Sequence, residues 1–564
     1  MGVEVNARAA ACGLRRILTI TSATAALALT AAPGALGAGK PVAVGTPYAG
    51  GPPAVAVDTA GNAVVAWANT KDLGGSLNFV QYCVLPPGAS ACSHSGNLNP
   101  ADSAQYIDNV QVLNDGGTIV ILADVYGTAG TAARDYTPEQ ERQSTDGGAS
   151  FSIVNGGLSV SSGILSADTV PLNAVIVPGT NVLGYGWETA GGPPTFNAFP
   201  LVSPPECSVA TCPAGFATLE PNTNPDQVTN GGGMVAAQAG ANPGVLGIYT
   251  TLFSNGPFAC PNNTPNGIAF AYGSGNQGAG NSYNVSPGSP GSAWRLPATQ
   301  GDCGVEAPAV AGGPSGFGVL EDDQAHATTV YHRFDQAKMT FSDTPMVTVS
   351  KQGELDAALS QDGAGGIYGT YLNGGSGGPV ALSYSADGGK TWAGPGTLDA
   401  YNGEANVTSS VNGAGQGWAA WINNGSVYAQ SFTAADAITA PSLGGGGSSN
   451  GQTVTLNVSC TAYPCTVTIT LTAPETIVVH ASSARVGKRR VKHRTVKLAA
   501  GRVTLRRGGT VTLRLTGAGK RFVRSRRGHV RVTAGVTERF GRYATSRTRT
   551  ISLRITTGKR HRRR

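Results

Sequence analysis

Charged residues are scarce in this chain, at 13% of its 564 residues against about 25% in an average soluble domain. The sequence also lacks a three-residue glycine period, and it is not dominated by Ala, Glu, Lys, Leu and Arg. It has no apolar run of about 20 residues, the length that a membrane-spanning helix needs. A collagen-like helix and a coiled coil are therefore excluded, and a membrane-spanning helix is disfavoured. Because 40% of the residues are hydrophobic, wholesale disorder is excluded as well.

The signatures of several enzyme classes are also missing. The chain has no phosphate-binding loop, nucleophile elbow, metalloprotease helix or dinucleotide fingerprint. It has no Cys-x-x-Cys pair, and no histidine lies at zinc-ligand spacing from a pair of cysteines. We therefore predict no metal and no cofactor, and we assign the many glycines, 81 in all, to turns.

The first 38 residues are typical of an export signal. Arg8, Arg15 and Arg16 precede a short apolar segment, residues 17–32, that is rich in small residues. The Arg15–Arg16 pair loosely resembles a twin-arginine signal, so the sequence leaves the export route open between this and the general secretory pathway. We expect residues 1–38 to be a signal peptide and the remaining chain to be secreted, extracellular or associated with the cell wall.

The cysteine content agrees with export. Eight cysteines follow the predicted signal peptide, and neighbours along the chain favour four disulfides. The pairs that spacing favours are Cys83–Cys92, Cys207–Cys212, Cys260–Cys303 and Cys460–Cys465. Eight cysteines allow 105 pairings, so spacing alone leaves the connectivity open.

The formal net charge of +7 conceals two unlike regions. Residues 441–564 contain 27 Lys and Arg but only two acids, Glu475 and Glu538, which gives this segment a charge of +25. Residues 1–440 contain 12 basic and 30 acidic residues, which gives −18. Such a division predicts separate domains with different partners.

A repeated pattern runs through residues 50–435. Seven segments each consist of a short apolar strand, a turn of Gly, Asn or Asp, and a second apolar strand. The second strands end at residues 67, 122, 187, 249, 320, 371 and 421. The spacing is about 59 residues, which suits four short strands and favours a β-propeller over a row of sandwich domains. We predict an all-β chain whose residues 39–440 form a propeller of about seven blades, with six or eight left open.

Two segments carry a more specific signal. Residues 385–392, SADGGKTW, match the Asp-box pattern S-x-D-x-G-x-T-W, and residues 144–151, STDGGASF, match it in part. In these segments the chain resembles the sialidase-like, or BNR-repeat, β-propellers. The resemblance implies that each box is the turn joining the outer two strands of a blade, with an Asp that closes the turn and an aromatic that packs beneath it. The turn residues are Ser144, Asp146, Gly148, Phe151, Ser385, Asp387, Gly389, Thr391 and Trp392.

The same resemblance raises the possibility of catalysis. Sialidases hold the substrate carboxylate with three arginines and use a tyrosine nucleophile, an exception among glycosidases. The propeller region contains four arginines: Arg134, Arg142, Arg295 and Arg333. They are the candidates if the protein is an exo-sialidase, although Arg295 lies too late in the chain for the sialidase arginine motif. We favour their assignment to surface ion pairs and lean away from an enzyme.

A second polar cluster follows the fifth repeat. Its candidate ligand-binding residues are Glu321, Asp322, Asp323, His326 and His332. A loop that follows a blade strand can line the mouth of a propeller and supply an acid or a base. A solvated loop is the alternative, and we favour it.

Residues 441–451, PSLGGGGSSNG, are predicted to be a Gly/Ser linker. Residues 452–558 contain seven Thr- and Val-rich strand patterns, which predict a small Ig-like β-sandwich. This segment resembles C-terminal modules of secreted actinobacterial proteins, and we expect residues 559–564 to be a disordered basic tail. Its charge favours polyanions, but no aromatic pattern accompanies the arginines, so we expect no specific nucleic-acid recognition.

The sequence thus favours a monomeric, secreted bacterial binding protein of the cell envelope or extracellular space. Its propeller would present a face for a glycan or a surface protein. Its basic domain would attach to an anionic cell-wall polymer or a membrane surface. The alternatives are a glycoside hydrolase of exo-sialidase type and a structural component of the envelope.

Overall fold

The structure, a computed structural model, describes 36 strands and two helices within the residues that it covers. These residues are 39–46, 52–69, 79–98, 106–115, 117–126, 136–155, 169–170, 174–177, 182–189, 195–200, 217–218, 234–238, 244–251, 267–274, 284–286, 309–323, 328–335, 340–348, 357–374, 377–400, 404–438, 441–460, 465–479, 490–506, 508–526, 528–540 and 543–556. The predicted signal peptide and the predicted basic tail lie outside them.

Strand β1 (Val42–Gly45) precedes seven antiparallel sheets, which we number 1 to 7 in chain order. Sheet 1 contains β2 (Ala54–Val57), β3 (Ala63–Asn69), β4 (Phe79–Leu85) and β5 (His94–Leu98). Sheet 2 contains β6 (Tyr106–Asp115), β7 (Thr118–Tyr126), β8 (Tyr136–Ser144) and β9 (Ser152–Asn155). Sheet 3 contains β10 (Thr169–Val170), β11 (Ala174–Val177), β12 (Val182–Thr189), β13 (Thr195–Pro200) and β14 (Ala217–Thr218).

The next three sheets have four strands each. Sheet 4 contains β15 (Met234–Gln238), β16 (Gly244–Thr251), β17 (Gly267–Ser274) and β18 (Asn284–Ser286). Sheet 5 contains β19 (Ala309–Ala311), β20 (Gly318–Asp323), β21 (Thr328–Asp335) and β22 (Thr340–Thr348). Sheet 6 contains β23 (Ala357–Gln361), β24 (Ile367–Leu372), β25 (Val380–Ser385) and β26 (Ala393–Thr397).

Sheet 7 joins the two ends of this region. It contains β27 (Glu404–Val411), β28 (Gln416–Asn423) and β29 (Ser426–Thr433), and its fourth strand is β1. Strand β1 pairs antiparallel with β29, with Val42 opposite Ala429 and Ala43 opposite Tyr428. The first described strand of the chain therefore completes the last sheet.

The sheets are arranged around a common centre, as in a β-propeller. One strand of each sheet contacts the corresponding strands of its two neighbours, in the order β2, β6, β11, β15, β19, β23, β27 and back to β2. Each sheet is thus packed between two others, and its strands become apolar on both faces. In sheet 6, every residue of β24 and β25 is buried. This two-sided burial explains why the repeats carry apolar runs instead of a clean in–out alternation.

The helix α1 (Ala434–Ala437) follows β29 and leads into a C-terminal sheet of seven strands. Thr433 caps this helix, and Asp436 completes the capping box by accepting a hydrogen bond from the Thr433 backbone N–H at 2.7 Å. The remaining elements are β30 (Ser442–Ser449), β31 (Thr453–Ser459), β32 (Cys465–Val479), β33 (Arg490–Leu505), β34 (Gly509–Arg514), α2 (Gly517–Arg524), β35 (Gly528–Phe540) and β36 (Tyr543–Ile555).

This C-terminal sheet differs from the two separate layers expected of an Ig-like sandwich. Its described strands form one continuous hydrogen-bonded path, β33-β32-β35-β36-β30-β31-β34. The two ends of the path meet at a bridge between Ala499 and Leu515, so the sheet curls around its own core. Strands of 13 to 16 residues make this curling feasible, because one strand can bend through both sides of the core.

The segment predicted as a flexible linker is instead a strand. Strand β30 covers Ser442–Ser449 and lies between β31 and β36, pairing antiparallel with the first and parallel with the second. A run of glycines is typical of a linker in sequence, but glycines within a strand also leave room for side chains of the neighbouring strands. Gly447, for example, lies against the side chains of Leu456 and Leu553. The C-terminal sheet therefore begins at residue 442.

The C-terminal sheet also packs against the propeller. Phe540, at the end of β35, is 6% exposed and belongs to the apolar cluster formed by sheets 6 and 7 and helix α1. Its ring lies 6.0 Å from that of Tyr384 in an edge-to-face arrangement. Within the part of the chain that the structure describes, no helix is long and apolar enough to cross a membrane.

We predict that Phe540→Ala lowers the free energy of unfolding by about 3 kcal/mol, since it removes a buried ring and leaves a cavity. Urea denaturation followed by tryptophan fluorescence measures the change. Arg539→Ala is the matched control, because Arg539 is the exposed neighbour on the same strand. Equal effects of the two substitutions would show that Phe540 does not join the two regions.

Candidate functional site

The two Asp-box segments form the same turn in two sheets. Residues 145–151 connect the third and fourth strands of sheet 2, and residues 386–392 connect those of sheet 6. In both turns a serine at the end of the third strand donates to the aspartate and accepts from a glycine amide. The predicted turn residues therefore form two separate Asp-box turns, one in sheet 2 and one in sheet 6.

The hydrogen bonds of the two turns match atom for atom. Asp387 Oδ1 accepts from Ser385 Oγ at 2.9 Å and from the Thr391 amide at 2.9 Å, and its Oδ2 accepts from Thr391 Oγ1 at 2.7 Å. Asp146 Oδ1 accepts from Ser144 Oγ at 2.7 Å and from the Ser150 amide at 3.0 Å, and its Oδ2 accepts from Ser150 Oγ at 2.5 Å. A single carboxylate therefore closes each turn.

Each turn also fastens its sheet to the preceding one. Gly389 has a φ of +86° and faces the Tyr331 ring on the third strand of sheet 5, where an added Cβ would overlap that ring. Trp392 packs edge-to-face on the same Tyr331, with ring centroids 5.2 Å apart. Only glycine satisfies both the left-handed backbone and the close approach. The box is therefore an interlock between two sheets as well as a turn.

The first box repeats this interlock between sheets 1 and 2. Gly148 has a φ of +87°, and a Cβ there would lie 2.6 Å from Cγ2 of Val84. Phe151 packs edge-to-face on Tyr82, with ring centroids 4.7 Å apart. The sequence did not indicate this packing role for either tyrosine. Their signal is position, because each lies on the third strand of the sheet before a box.

The contacts of the first Asp-box turn shift the pKa values of two of its side chains. Hydrogen bonds from the Ser150 side chain and amide, and from Ser144, hold the pKa of Asp146 well below its usual range. Burial raises the pKa of Tyr82, and the nearby charge of Asp146 raises it further. Asp146 itself is exposed, so its carboxylate meets solvent on one side and the turn on the other.

The turns between first and second strands meet at the same end of the ring as the boxes. Ser315 Oγ of sheet 5 donates to the Gly365 carbonyl of sheet 6 at 2.6 Å, and the Gly363 amide donates to the Gly413 carbonyl of sheet 7 at 3.0 Å. Trp418 Nε1 of sheet 7 donates to the Gly61 carbonyl of sheet 1 at 3.1 Å. We call this the interlocked end, because its turns bind one another.

The opposite end, which we call the open end, carries the connections between second and third strands and between sheets. Their lengths differ greatly, from the two residues that link β28 to β29 up to residues 252–266 and 287–308. Strand β20 ends here, and Asp322 and Asp323 are its last two residues. The backbone thus places the acidic cluster at the open end, while His326 lies outside the described residues.

The other candidate site residues that the structure describes lie in different parts of the propeller. His332 is fully buried in sheet 5, so it is a core residue and does not belong to the ligand face. Arg333 is exposed and lies on the interlocked side, with Nη1 3.9 Å from where a Cβ of Gly388 would stand. Arg142 lies on β8, where burial lowers its pKa. Sheets 2 and 5 are not neighbours in the ring, and Arg134 and Arg295 lie outside the described residues.

Two of the four predicted disulfides are confirmed. Cys83–Cys92 ties β4 to the turn that follows it, and Cys460–Cys465 joins β31 to β32. Cys207, Cys212, Cys260 and Cys303 lie outside the described residues. The ligand atoms of Cys460, Cys465 and Glu538 lie within 4.8 Å of one another, but the two sulfurs are bonded together. Bonded sulfurs offer no thiolate to a metal.

The C-terminal sheet buries one of its two acids and pairs the other with an arginine. Glu538 is fully buried, and Glu475 forms an ion pair with Arg494 at 2.7 Å. Exposed arginines lie on the outer surface, as Arg531 and Arg539 do on β35. The basic character predicted from composition is therefore a property of the outer surface, since alternate residues enter the core.

No protein-family model matches this sequence, and a search of curated proteins finds no match. Solved structures with a similar arrangement include a Trypanosoma rangeli sialidase, at 10% identity and a TM-score of 0.36, over 90% of this chain and 84% of that one. They also include a polysaccharide lyase, an ulvan lyase, at 11% identity and a TM-score of 0.38, over 70% and 94%. The Aleuria aurantia lectin matches at 10% and 0.32, over 56% and 87%. At such values these similarities assign no function.

We predict that Gly389→Ala destabilises the protein by more than Gly388→Ala does. Both glycines have positive φ, so both substitutions incur a backbone cost of about 1 kcal/mol. A Cβ at Gly388 meets nothing closer than 3.7 Å, whereas one at Gly389 enters the Tyr331 ring. Chemical denaturation of both variants gives the difference, and equal losses would contradict the interlock between sheets 5 and 6.

Acid sensitivity gives a second prediction for these turns. Because the pKa of Asp146 is lower in the folded chain than the usual value of about 3.9, its contribution to stability is complete above that value and is lost as the pH falls below it. The destabilisation caused by Asp146→Asn should therefore be present at pH 7 and shrink between pH 4 and pH 2. Thr145→Ala, an exposed neighbour, should show no such change in thermal denaturation. A penalty for Asp146→Asn that is constant with pH would refute this account.

Proposed function

We propose that this protein is an extracellular binding protein with two binding surfaces on one rigid body. Its propeller, with the seven sheets as seven blades, presents the open end to a glycan or a surface protein. Its C-terminal sheet attaches to anionic polymers of the cell envelope. The single observation that carries the first part is the difference between the two ends of the ring.

The structure of the interlocked end makes it a poor binding surface, which favours the open end. In sheets 5, 6, 7 and 1 its described turns are bound to one another by backbone and side-chain hydrogen bonds, which occupy those polar groups. The connections at the open end vary in length, and one strand brings two successive acidic residues to that end. Varied loops on a rigid scaffold are the usual place of binding sites.

The alternative, an exo-sialidase, finds no support in the described arginines. A carboxylate clamp needs three arginines at one point. Arg142 and Arg333 lie on sheets that are not neighbours, and Arg333 lies beside an Asp-box turn. A fluorogenic sialoside assay on the mature chain tests the alternative, and turnover that Arg295→Ala abolishes would establish it over our proposal.

The extracellular setting is supported by the two disulfides and by the charge of the C-terminal region. Disulfides persist mainly in oxidising compartments. A surface with this excess of cations attracts polyanions over a distance set by salt. The anionic polymers of a cell envelope are such polyanions.

We predict that residues 39–564 are retained on purified bacterial cell walls at 50 mM NaCl and released at about 500 mM, because counterion release weakens such binding steeply with salt. Walls stripped of their anionic polymers are the control and should not retain the protein. Retention that is unaffected by salt or by stripping would overturn the attachment proposal.

A separate experiment addresses the open end. A glycan array with the mature chain should show selective binding, and Asp323→Ala should weaken it by about tenfold, which corresponds to the loss of one good polar contact. Lys390→Ala is the matched control, since Lys390 is exposed at the interlocked end. Absence of any glycan or protein ligand would favour the structural role instead.

A further inference from the structure

One face of the C-terminal sheet is rich in threonine and arginine, a composition that the packing of its core does not require. On β35, Val532, Ala534 and Val536 point into the core. The residues that alternate with these along β35 point outward, because successive side chains of a strand lie on opposite faces. Among these outward residues are Arg531, Thr533, Gly535, Thr537 and Arg539. We call the outward side of β33, β32, β35 and β36 the threonine face.

The strand register aligns hydroxyl side chains in rows across this face. Thr537 lies opposite Thr468 on β32 and Ser546 on β36, and Thr533 lies opposite Thr472 and Thr550. Rows along a strand are about 6.8 Å apart and neighbouring strands are about 4.8 Å apart. The face is thus a regular two-dimensional array of short hydroxyl side chains. A repeating array suits a repeating ligand better than a single small anion.

The centre of the array is flat and open. Gly535 lies between Thr470 on β32 and Thr548 on β36. A Cβ at this glycine would come no closer than 3.9 Å to the Thr470 carbonyl oxygen and to Thr548 Oγ1. Gly535 therefore leaves a gap between Thr470 and Thr548 in the middle of the face, and a chain-like molecule can lie across it in contact with several rows.

Cations surround this array, and the described part of the face carries no acid. Arg531 and Arg539 lie about 27 Å apart along β35, and Arg502 and Arg554 lie exposed on the flanking strands. Of the two acids in residues 441–564, Glu538 is buried on the core side and Glu475 is paired with Arg494. The outward charges therefore add without local neutralisation.

These features define the chemistry of the ligand. Arginine forks donate paired hydrogen bonds to phosphate oxygens, and short hydroxyls donate single ones. Among the described residues, the threonine face has no Phe, Tyr or Trp ring on which a sugar or a base could stack. A ligand without rings in its backbone suits it best. We propose that the threonine face binds a linear polyol polymer joined by phosphodiesters, laid flat across the strands.

This proposal deepens the attachment function and rests on it, since it names one face and one ligand class. The probe is poly(glycerol phosphate) of defined length, and the protein is residues 39–564. Fluorescence anisotropy measures its affinity at 50 and 200 mM NaCl. DNA and poly-glutamate of equal charge are the competing polyanions. Wild type should bind poly(glycerol phosphate) at least about tenfold more tightly than either, because only that probe combines phosphates with a backbone free of rings and amides.

The arginine pair Arg531→Ser/Arg539→Ser should weaken binding by about tenfold or more and reduce the salt dependence. The matched control is Arg521→Ser/Arg524→Ser, which removes the same charge from helix α2. This helix packs on the core side of the sheet through Phe522 and Val523. The control should change affinity less than about threefold, since it alters only the general field.

A third variant separates hydroxyl contacts from charge. Thr468→Val, Thr548→Val and Thr550→Val together keep the net charge and the β-propensity of three exposed positions. This triple variant should weaken binding about fivefold with the salt dependence unchanged, because it removes neutral hydrogen bonds only. Circular dichroism and thermal denaturation check that each variant is folded.

The possible results are distinct. Equal losses from the two arginine pairs would overturn the threonine face and leave a general basic attachment in place. Equal or tighter binding of DNA or poly-glutamate would overturn the phosphodiester polyol as the ligand. No binding of any polyanion by the wild type would overturn the attachment function itself.

Discussion

The pairing of β1 with β29 is the contact on which the propeller depends. Sheets packed face to face around a ring bury their apolar surfaces only if the ring is complete, and here the four residues of β1 supply the last strand. The Asp-box contacts and the hydrogen-bonded turns add to that closure, because they join neighbouring sheets that the closed ring already holds together. Rigidity at one end of the ring then permits variation at the other, where the connections between strands differ in length.

In the C-terminal sheet, the alternation of side chains along the strands decides where the charges lie. Alternation along the strands sends Val, Leu and Ile to the core and leaves Arg and Thr outside, so a segment with a charge of +25 still packs densely. Burying Glu538 and pairing Glu475 removes the two carboxylates that could neutralise the outer arginines. The propeller, in contrast, is acidic, yet the two regions meet through the apolar contact of Phe540 with Tyr384.

The sequence predicted what depends on local pattern. Turn residues and apolar runs indicated an all-β propeller, and spacing identified two disulfides, because those features are set by neighbours along the chain. It did not indicate the packing role of Tyr82 and Tyr331, which these residues acquire only when one sheet packs on the next. It placed His332 on a ligand face although two-sided burial makes it core, and it took β30 for a linker because glycine serves both. The single curled sheet could not be separated from a sandwich, since both use the same alternating strands.

The parallel pairing of β30 with β36 has a mechanical consequence. Strand β30 is joined to the propeller at its beginning, and β36 leads toward the basic tail at its end. A force that pulls the propeller and the tail apart acts along these two strands in opposite directions. The hydrogen bonds from Gly446–Ser552 to Ser449–Ile555 then share the load at once in shear, instead of opening one after another. A body tethered through its tail would therefore resist the drag of flowing fluid through this strand pair.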